Sequence, residues 1–227
     1  MSQIPFRQPL SRHLPDSPLG TVRRLRVPEQ EPRILTREEE ATLLEHADDE
    51  MRAILTVALD TLLRLSNIAH LTWSQVKPKI IVPLNAKVSH DMVPVTARMR
   101  AALDELPQRS VYVFPGLHDK GKGPTAAKNL LIRQFDALCQ SAGLPHGRAA
   151  GGLTFHCLRH TGASRALQAG ASIRTVMKLG GWKDLRSVLR YTHASDADVQ
   201  QAAESIGRLT SRSRAKITSI KSGRRRA

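Results

Sequence analysis

A mainly α-helical fold with one small antiparallel β-sheet is what this sequence predicts. Apolar residues recur at helical spacing through most of 35–206, in runs opened by capping residues. Only one place, residues 80–84 and 92–95 around the turn-forming 85–91, reads as a pair of strands. No segment repeats, so a solenoid is excluded.

The elements follow in order. Residues 1–34 carry proline at 5, 9, 15, 18, 28 and 32, with a basic run at 22–28, and predict a linker or extended arm. Thr36 and Glu39 have the spacing of a capping box and open a helix to about His46. Residues 51–65 are almost continuously apolar, without glycine or proline, and predict a buried helix ending at Arg64. A short turn or helix at 67–71 comes next. The two strands carry Pro83 and Pro94, which suit edge positions. Helices are expected over 96–106 and 125–142, with loops rich in glycine, proline and lysine at 116–124 and 143–153. Further helices are expected over 154–169, 172–179, 185–193 and 197–206. The span 35–206 is thus one domain, and 207–227 is a basic tail expected to be disordered.

Charge is the strongest bulk signal. Net charge is +15 and the pI is near 10.8. Such an excess points to a polyanionic partner, above all nucleic acid. Eight basic and no acidic residues fall between Arg208 and the end, which favours salt-sensitive phosphate contacts there. No apolar run is long enough for a membrane span, and the N-terminus lacks a signal-peptide apolar stretch. Cys139 and Cys157 are the only cysteines, too few for a disulfide framework or a zinc site. A cytoplasmic protein is expected.

The chemistry-bearing residues concentrate in the last third. His156 and Arg159 are three apart, on one helix face, and His160 follows. An arginine fork and a histidine N–H can address one phosphate. Trp182 follows Gly180 and Gly181, and Tyr191 comes nine residues later in a polar stretch, with Thr192 and His193. This is a kit for phosphoryl transfer by a phenolic nucleophile without metal or cofactor. A transferring phosphodiester spreads charge over its non-bridging oxygens, which arginines meet better than lysines. A tyrosine in water titrates near about pH 10, so its proton must be drawn off by a cationic, hydrogen-bonding site.

These residues, from His156 through Arg159 and His160 to Trp182 and Tyr191, resemble the C-terminal signature of the tyrosine recombinases, the phage-integrase family. Upstream, Asp60, Arg64 and Ser66, with Leu71 and Trp73 beyond, are similar to the family's first arginine box, and Ala86-Lys87 before Val93 to its hairpin lysine. The resemblance covers about 35–206. It implies a mostly helical catalytic domain with a small sheet. It also implies cleavage of one strand of double-stranded DNA to a 3′-phosphotyrosine and a free 5′-hydroxyl, then rejoining to another strand. Residue by residue, Tyr191 matches the nucleophile, and Arg64 and Arg159 the phosphate clamp. His156 and Trp182 match supporting phosphate ligands, and Lys87 the general acid for the leaving oxygen. Work as a homo-oligomer on DNA is implied, with 197–206 the helix that docks on a neighbour.

The chain also departs from the family. Asn67 stands where an acidic residue often follows the first arginine, and Cys157 where many relatives have aspartate. Most relatives carry a separate helical DNA-clamping domain ahead of the catalytic one. Residues 1–34 are too short for it and read as its exit linker, so the chain is either a fragment or dependent on its tails.

Each residue has a plainer alternative. Arg64 could pair with Asp60 one turn earlier. Trp182 could be a packing wedge, Tyr191 a core residue, Lys87 a solvated turn residue and Cys157 a small core residue. Two other functions compete from different classes. A relative without activity would only bind DNA. A basic helix-turn-helix regulator is the other, since Ala166, Gly170 and Val176 have that spacing. The stretch 116–123 nearly matches a phosphate-binding loop but has Gly123 where Ser or Thr must meet magnesium.

Overall fold

In a computed structural model, residues 32–82, 92–118, 125–147, 151–192 and Glu204 are described. The chain divides between Glu31 and Pro32, and all described residues belong to the second unit.

Eight α-helices and two strands run in order among the described residues: α1 (Arg37–His46), α2 (Asp49–Thr61), α3 (Leu65–Ala69), β1 (Ile80–Ile81), β2 (Val93–Pro94), α4 (Ala97–Asp104), α5 (Ala126–Ser141), α6 (Phe155–Gln168), α7 (Ile173–Gly180) and α8 (Arg186–Leu189). The expected helical fold with one small sheet is therefore present. β1 and β2 pair antiparallel, Ile80 opposite Pro94 and Ile81 opposite Val93. The expected turn of this hairpin, 85–91, and the last two residues of its expected first strand, 83–84, lie outside the described residues. So do 1–31, the expected last helix at 197–206 apart from Glu204, and the tail.

Local rules set most boundaries. Thr36 and Glu39 form the capping box that opens α1. Asp48 caps α2 by accepting from the Met51 N–H at 2.7 Å. Thr96 and Ser172 cap α4 and α7 in the same way. α2 has nine buried residues and forms the centre of the core. α4 and α6 pack on it and α5 packs on α1 and α3, with Phe135, Leu131, Met99, Leu103 and Leu158 fully enclosed.

α2 and α6 approach closely at Gly162. A Cβ on Gly162 would fall 2.3 Å from the Leu59 carbonyl oxygen and 2.4 Å from Leu62 Cδ2. The first obstacle is backbone, so it cannot swing aside. Gly162→Ala is expected to lower stability by about 1–3 kcal/mol, measured by urea unfolding, despite alanine's better helix propensity.

One buried carboxylate ties three helices. Glu40 of α1 pairs with Arg98 of α4 at 2.9 Å and with Arg165 of α6. Burial pushes its pKa up, but the hydrogen bonds from Arg165 and Arg98 outweigh this and hold it below the ordinary carboxylate value. Its stabilisation is therefore present above the usual carboxylate range and is lost as pH falls below that range, through its depressed folded value. Glu40→Ala, which takes the carboxylate partner from Arg165 while Arg98 keeps Asp60, is expected to cost about 2–4 kcal/mol at neutral pH, a cost that shrinks in acid.

Two expectations are corrected. The helix expected over 51–65 stops at Thr61, because Leu62 takes a left-handed conformation (φ 55°, ψ 22°). Such a conformation costs a leucine about 1–3 kcal/mol. It is held by the burial of the Leu62 side chain and by a hydrogen bond to its carbonyl from Arg159. The helix expected over 185–193 is only four residues long, followed by a turn through Tyr191.

Candidate active site

The second, smaller apolar cluster builds the site. Leu62, Ala163, Val176, Val188 and Tyr191 are its buried members, and Trp182 packs against them. It joins the end of α2 to α6, α7 and α8.

Arg159 sits on the inner face of α6 and is only 4% exposed. One Nη donates to the Leu62 carbonyl and the other to the Gly180 carbonyl at 2.7 Å. Arg64 occupies the N-cap position of α3, with an extended backbone, and its Nη2 donates to the Gly181 carbonyl at 3.2 Å. Both guanidinium groups thus converge on the C-terminus of α7, the negative end of a helix dipole. Burial, then the Arg64 charge, pulls the Arg159 pKa down to about 10. Among the described residues neither arginine has a carboxylate partner. The alternative Arg64–Asp60 pair does not form: Asp60 is taken by Arg98 at 2.5 Å and by the Thr96 hydroxyl at 2.6 Å.

Trp182 covers the clamp. Its ring centre is 3.9 Å from Arg159 Cζ, a cation–π contact. Gly181 turns the chain in the left-handed conformation (φ 66°), so the indole folds back over α7. A Cβ on Gly180 would fall 1.9 Å from Trp182 Cζ3, so the double glycine is what admits the ring. The wedge reading of Trp182 therefore has a partner: the indole packs, and it packs on the arginine.

Tyr191 is 7% exposed and lies 5.8 Å, centre to centre, from the Trp182 ring. Burial pushes its pKa up, against the opposing pull of Arg159 and Arg190. Its hydroxyl is 2.5 Å from His160 Nδ1. His156, one turn earlier on α6, is exposed and meets the His160 ring edge-on at 4.3 Å.

Five of the six sequence-predicted residues, Arg64, His156, Arg159, Trp182 and Tyr191, are thus brought into one cluster. Lys87 lies outside the described residues. His160 is the member that had no role assigned. Its signal was present, since a histidine four residues after His156 shares its helix face.

Competing nucleophiles are occupied elsewhere. Tyr112 is stacked on His118 with ring centres 3.5 Å apart. Burial, then Asp136, pushes the Cys139 thiol up to about 12. Cys157 is buried as expected and also accepts from the Thr154 N–H at 3.4 Å, closing the cap of α6. At the near-match to a phosphate-binding loop, the Gly116 N–H points at the Glu50 carboxylate at 3.4 Å, which would repel a phosphate. Residues 119–124 of that stretch lie outside the described residues. The helix-turn-helix spacing does give two helices, α6 and α7, around Gly170 (φ 89°). Here that pair aims the C-terminus of α7 at the two arginines.

Residues 33–198 match the phage integrase family. The integrase of Salmonella phage P22 is 28% identical over 172 residues, covering 72% of this chain and 44% of the phage protein. Tyrosine recombinase XerD of Brucella suis is 32% identical over 155 residues, covering 63% of this chain and 48% of the relative. The chain thus spans about half the length of these relatives. The crystal structure of XerA recombinase superposes with a TM-score of 0.61 at 24% identity, covering 78% of this chain and 66% of that one. The family match runs through both arginines, Trp182 and Tyr191, and the chain belongs to the phage integrase family.

Proposed function

We propose that this chain carries out site-specific DNA recombination, cutting and rejoining strands through a 3′-phosphotyrosine intermediate. One observation carries the reading. Arg159 is almost fully buried, has a depressed pKa and has only carbonyl acceptors among the described residues. A buried guanidinium in that condition wants an anion, and a phosphodiester supplies one within reach of a tyrosine hydroxyl.

In this reading Arg159 and Arg64 take the non-bridging oxygens, with His156 and the Trp182 indole N–H as supporting donors. Tyr191 is the nucleophile. Lys87 protonates the departing 5′-oxygen. The phosphotyrosine bond conserves the energy of the broken diester, so rejoining needs no ATP. Double-stranded DNA is the partner, met as a homo-oligomer, with 35–206 as the catalytic domain, 1–34 as a linker or arm and 207–227 as a basic appendage. Cytoplasmic residence belongs to the same proposal. The two free, buried thiols support it, and no described helix is long and apolar enough to cross a membrane.

The test is incubation with nicked suicide DNA substrates in EDTA, followed by denaturing electrophoresis. A covalent protein–DNA adduct is the expected result. DNA binding without any adduct would support the inactive-relative reading, and adduct formation abolished by EDTA would point to a metal nuclease. A companion measurement concerns the charge. DNA affinity is expected to fall steeply with salt, with a slope of about −0.9 per phosphate contacted, and to fall less steeply once 208–227 is deleted. A salt-insensitive affinity would contradict the assignment of the basic excess.

A further inference from the structure

We propose that His160 is a catalytic residue of this site, taking the phenolic proton of Tyr191 as the tyrosine attacks phosphorus. The inference rests on the reading of Tyr191 as nucleophile and assigns the proton that reading leaves unassigned.

The geometry carries it. His160 Nδ1 and Tyr191 Oη are 2.5 Å apart, a short contact between a phenol and an imidazole. The O–H is the stronger donor of the two and an imine nitrogen the stronger acceptor, so the phenol donates and the second ring nitrogen bears the imidazole proton. Tyr191 is 7% exposed, so bulk water is a poor route for its proton. The contact joins α6 to the turn after α8 and spans 31 residues, so it is a product of the fold.

The surroundings explain how the transfer is timed. His160 faces His156 on its own helix, Arg159 beside it, and Tyr191 and Arg190 from the end of α8; Arg64 stands behind Arg159. Burial, then the charges of His156, Arg190 and Arg159, pushes its pKa down to about 4. Without DNA the ring is neutral and an acceptor, but it cannot keep a proton among these cations, and Tyr191 stays a protonated, inert phenol. A phosphate seated on Arg159 and Arg64 brings the negative charge that offsets them. The imidazolium then becomes tolerable at the moment charge builds on the phosphoryl oxygens.

The step balances. The Oη–H proton moves to Nδ1 and an Oη lone pair forms the bond to phosphorus. The bond from phosphorus to the 5′-oxygen breaks, its electron pair stays on that oxygen, and the proposed general acid Lys87 protonates it. On rejoining, an incoming 5′-hydroxyl gives its proton to Lys87 and its oxygen bonds to phosphorus, and His160 returns its proton to Oη as the phosphotyrosine bond breaks.

The experiment is single-turnover cleavage of a suicide substrate by the full chain, compared with His160→Gln, whose amide oxygen keeps an acceptor but holds no proton. His160→Gln is expected to bind DNA as the wild type does and to cleave roughly 10²–10⁴-fold more slowly. The deficit should persist on a substrate whose scissile 5′-oxygen is replaced by sulfur, since a better leaving group bypasses an acid and not a base. The wild-type rate should fall about tenfold per pH unit below an inflection between about 5 and 7, near the ordinary imidazole value, and His160→Gln should lose that inflection. Cleavage by His160→Gln within about threefold of wild type, or a deficit cured by the sulfur substrate, would overturn the proposal. Should His160→Gln fail to fold, the wild-type profile decides, and a flat rate from about pH 5 to 8 overturns it. No adduct from the wild type at all would instead sink the Tyr191 reading on which the proposal stands.

Discussion

Tyr191→Phe is expected to leave a folded protein that binds DNA and forms no covalent adduct. The substitution removes one oxygen from a ring whose packing against Leu62, Ala163, Val176 and Val188 stays intact. It also leaves the His160 imidazole without its hydroxyl partner. That loss costs about 1–2 kcal/mol, small enough for the fold to survive. The nucleophile is gone, so cleavage should be undetectable rather than slowed. Thermal unfolding, a binding isotherm and an adduct assay on one preparation separate these effects. An adduct that survives would show that another group attacks.

Arg159→Ala is expected to lower the cleavage rate by about 10²–10³-fold or more, the range for removing one donor to charge that develops in the transition state. Here the structural cost must be separated from the chemical one. The Leu62 and Gly180 carbonyls would lose their donor, and Trp182 its cation. Each buried acceptor left open costs about 1–3 kcal/mol. Arg159→Lys keeps a charge but not the planar fork, so it should recover much of the stability and little of the rate. His156→Ala and Trp182→Ala should fall short of either loss, since His156 is exposed and the proposed phosphate contact of Trp182 is shared with Arg159, on which it packs. A variant of Arg159 with wild-type cleavage would remove the phosphate clamp from the account.

Features determined within a few residues are legible in the sequence. The capping box at Thr36 and Glu39, the apolar face of α5 and the helical frame of His156 and Arg159 follow from rules of that range. The features it hides are long-range. Nothing local predicts that Leu62 will turn left-handed, because the carbonyl it presents is wanted by Arg159, 97 residues away. That turn is why Arg64 caps α3 instead of ending α2. Asp60 invites pairing with Arg64 because it lies one turn away, while its actual partners, Arg98 and Thr96, come from α4 and its cap. His160 reads as no more than the end of a motif, since its contact with Tyr191 exists only once α7 and α8 fold back on α6. The double glycine before Trp182 is visible, but what it admits, an indole over a buried arginine, is a matter of packing.

Peptide mapping of the trapped protein–DNA adduct tests the central claim most directly. The chain has two tyrosines, so the assignment is nearly binary. After nuclease and protease digestion, mass spectrometry is expected to place a nucleotide 3′-phosphate on Tyr191 and to find none on Tyr112. A nucleotide on Tyr112 or on a serine would contradict the account.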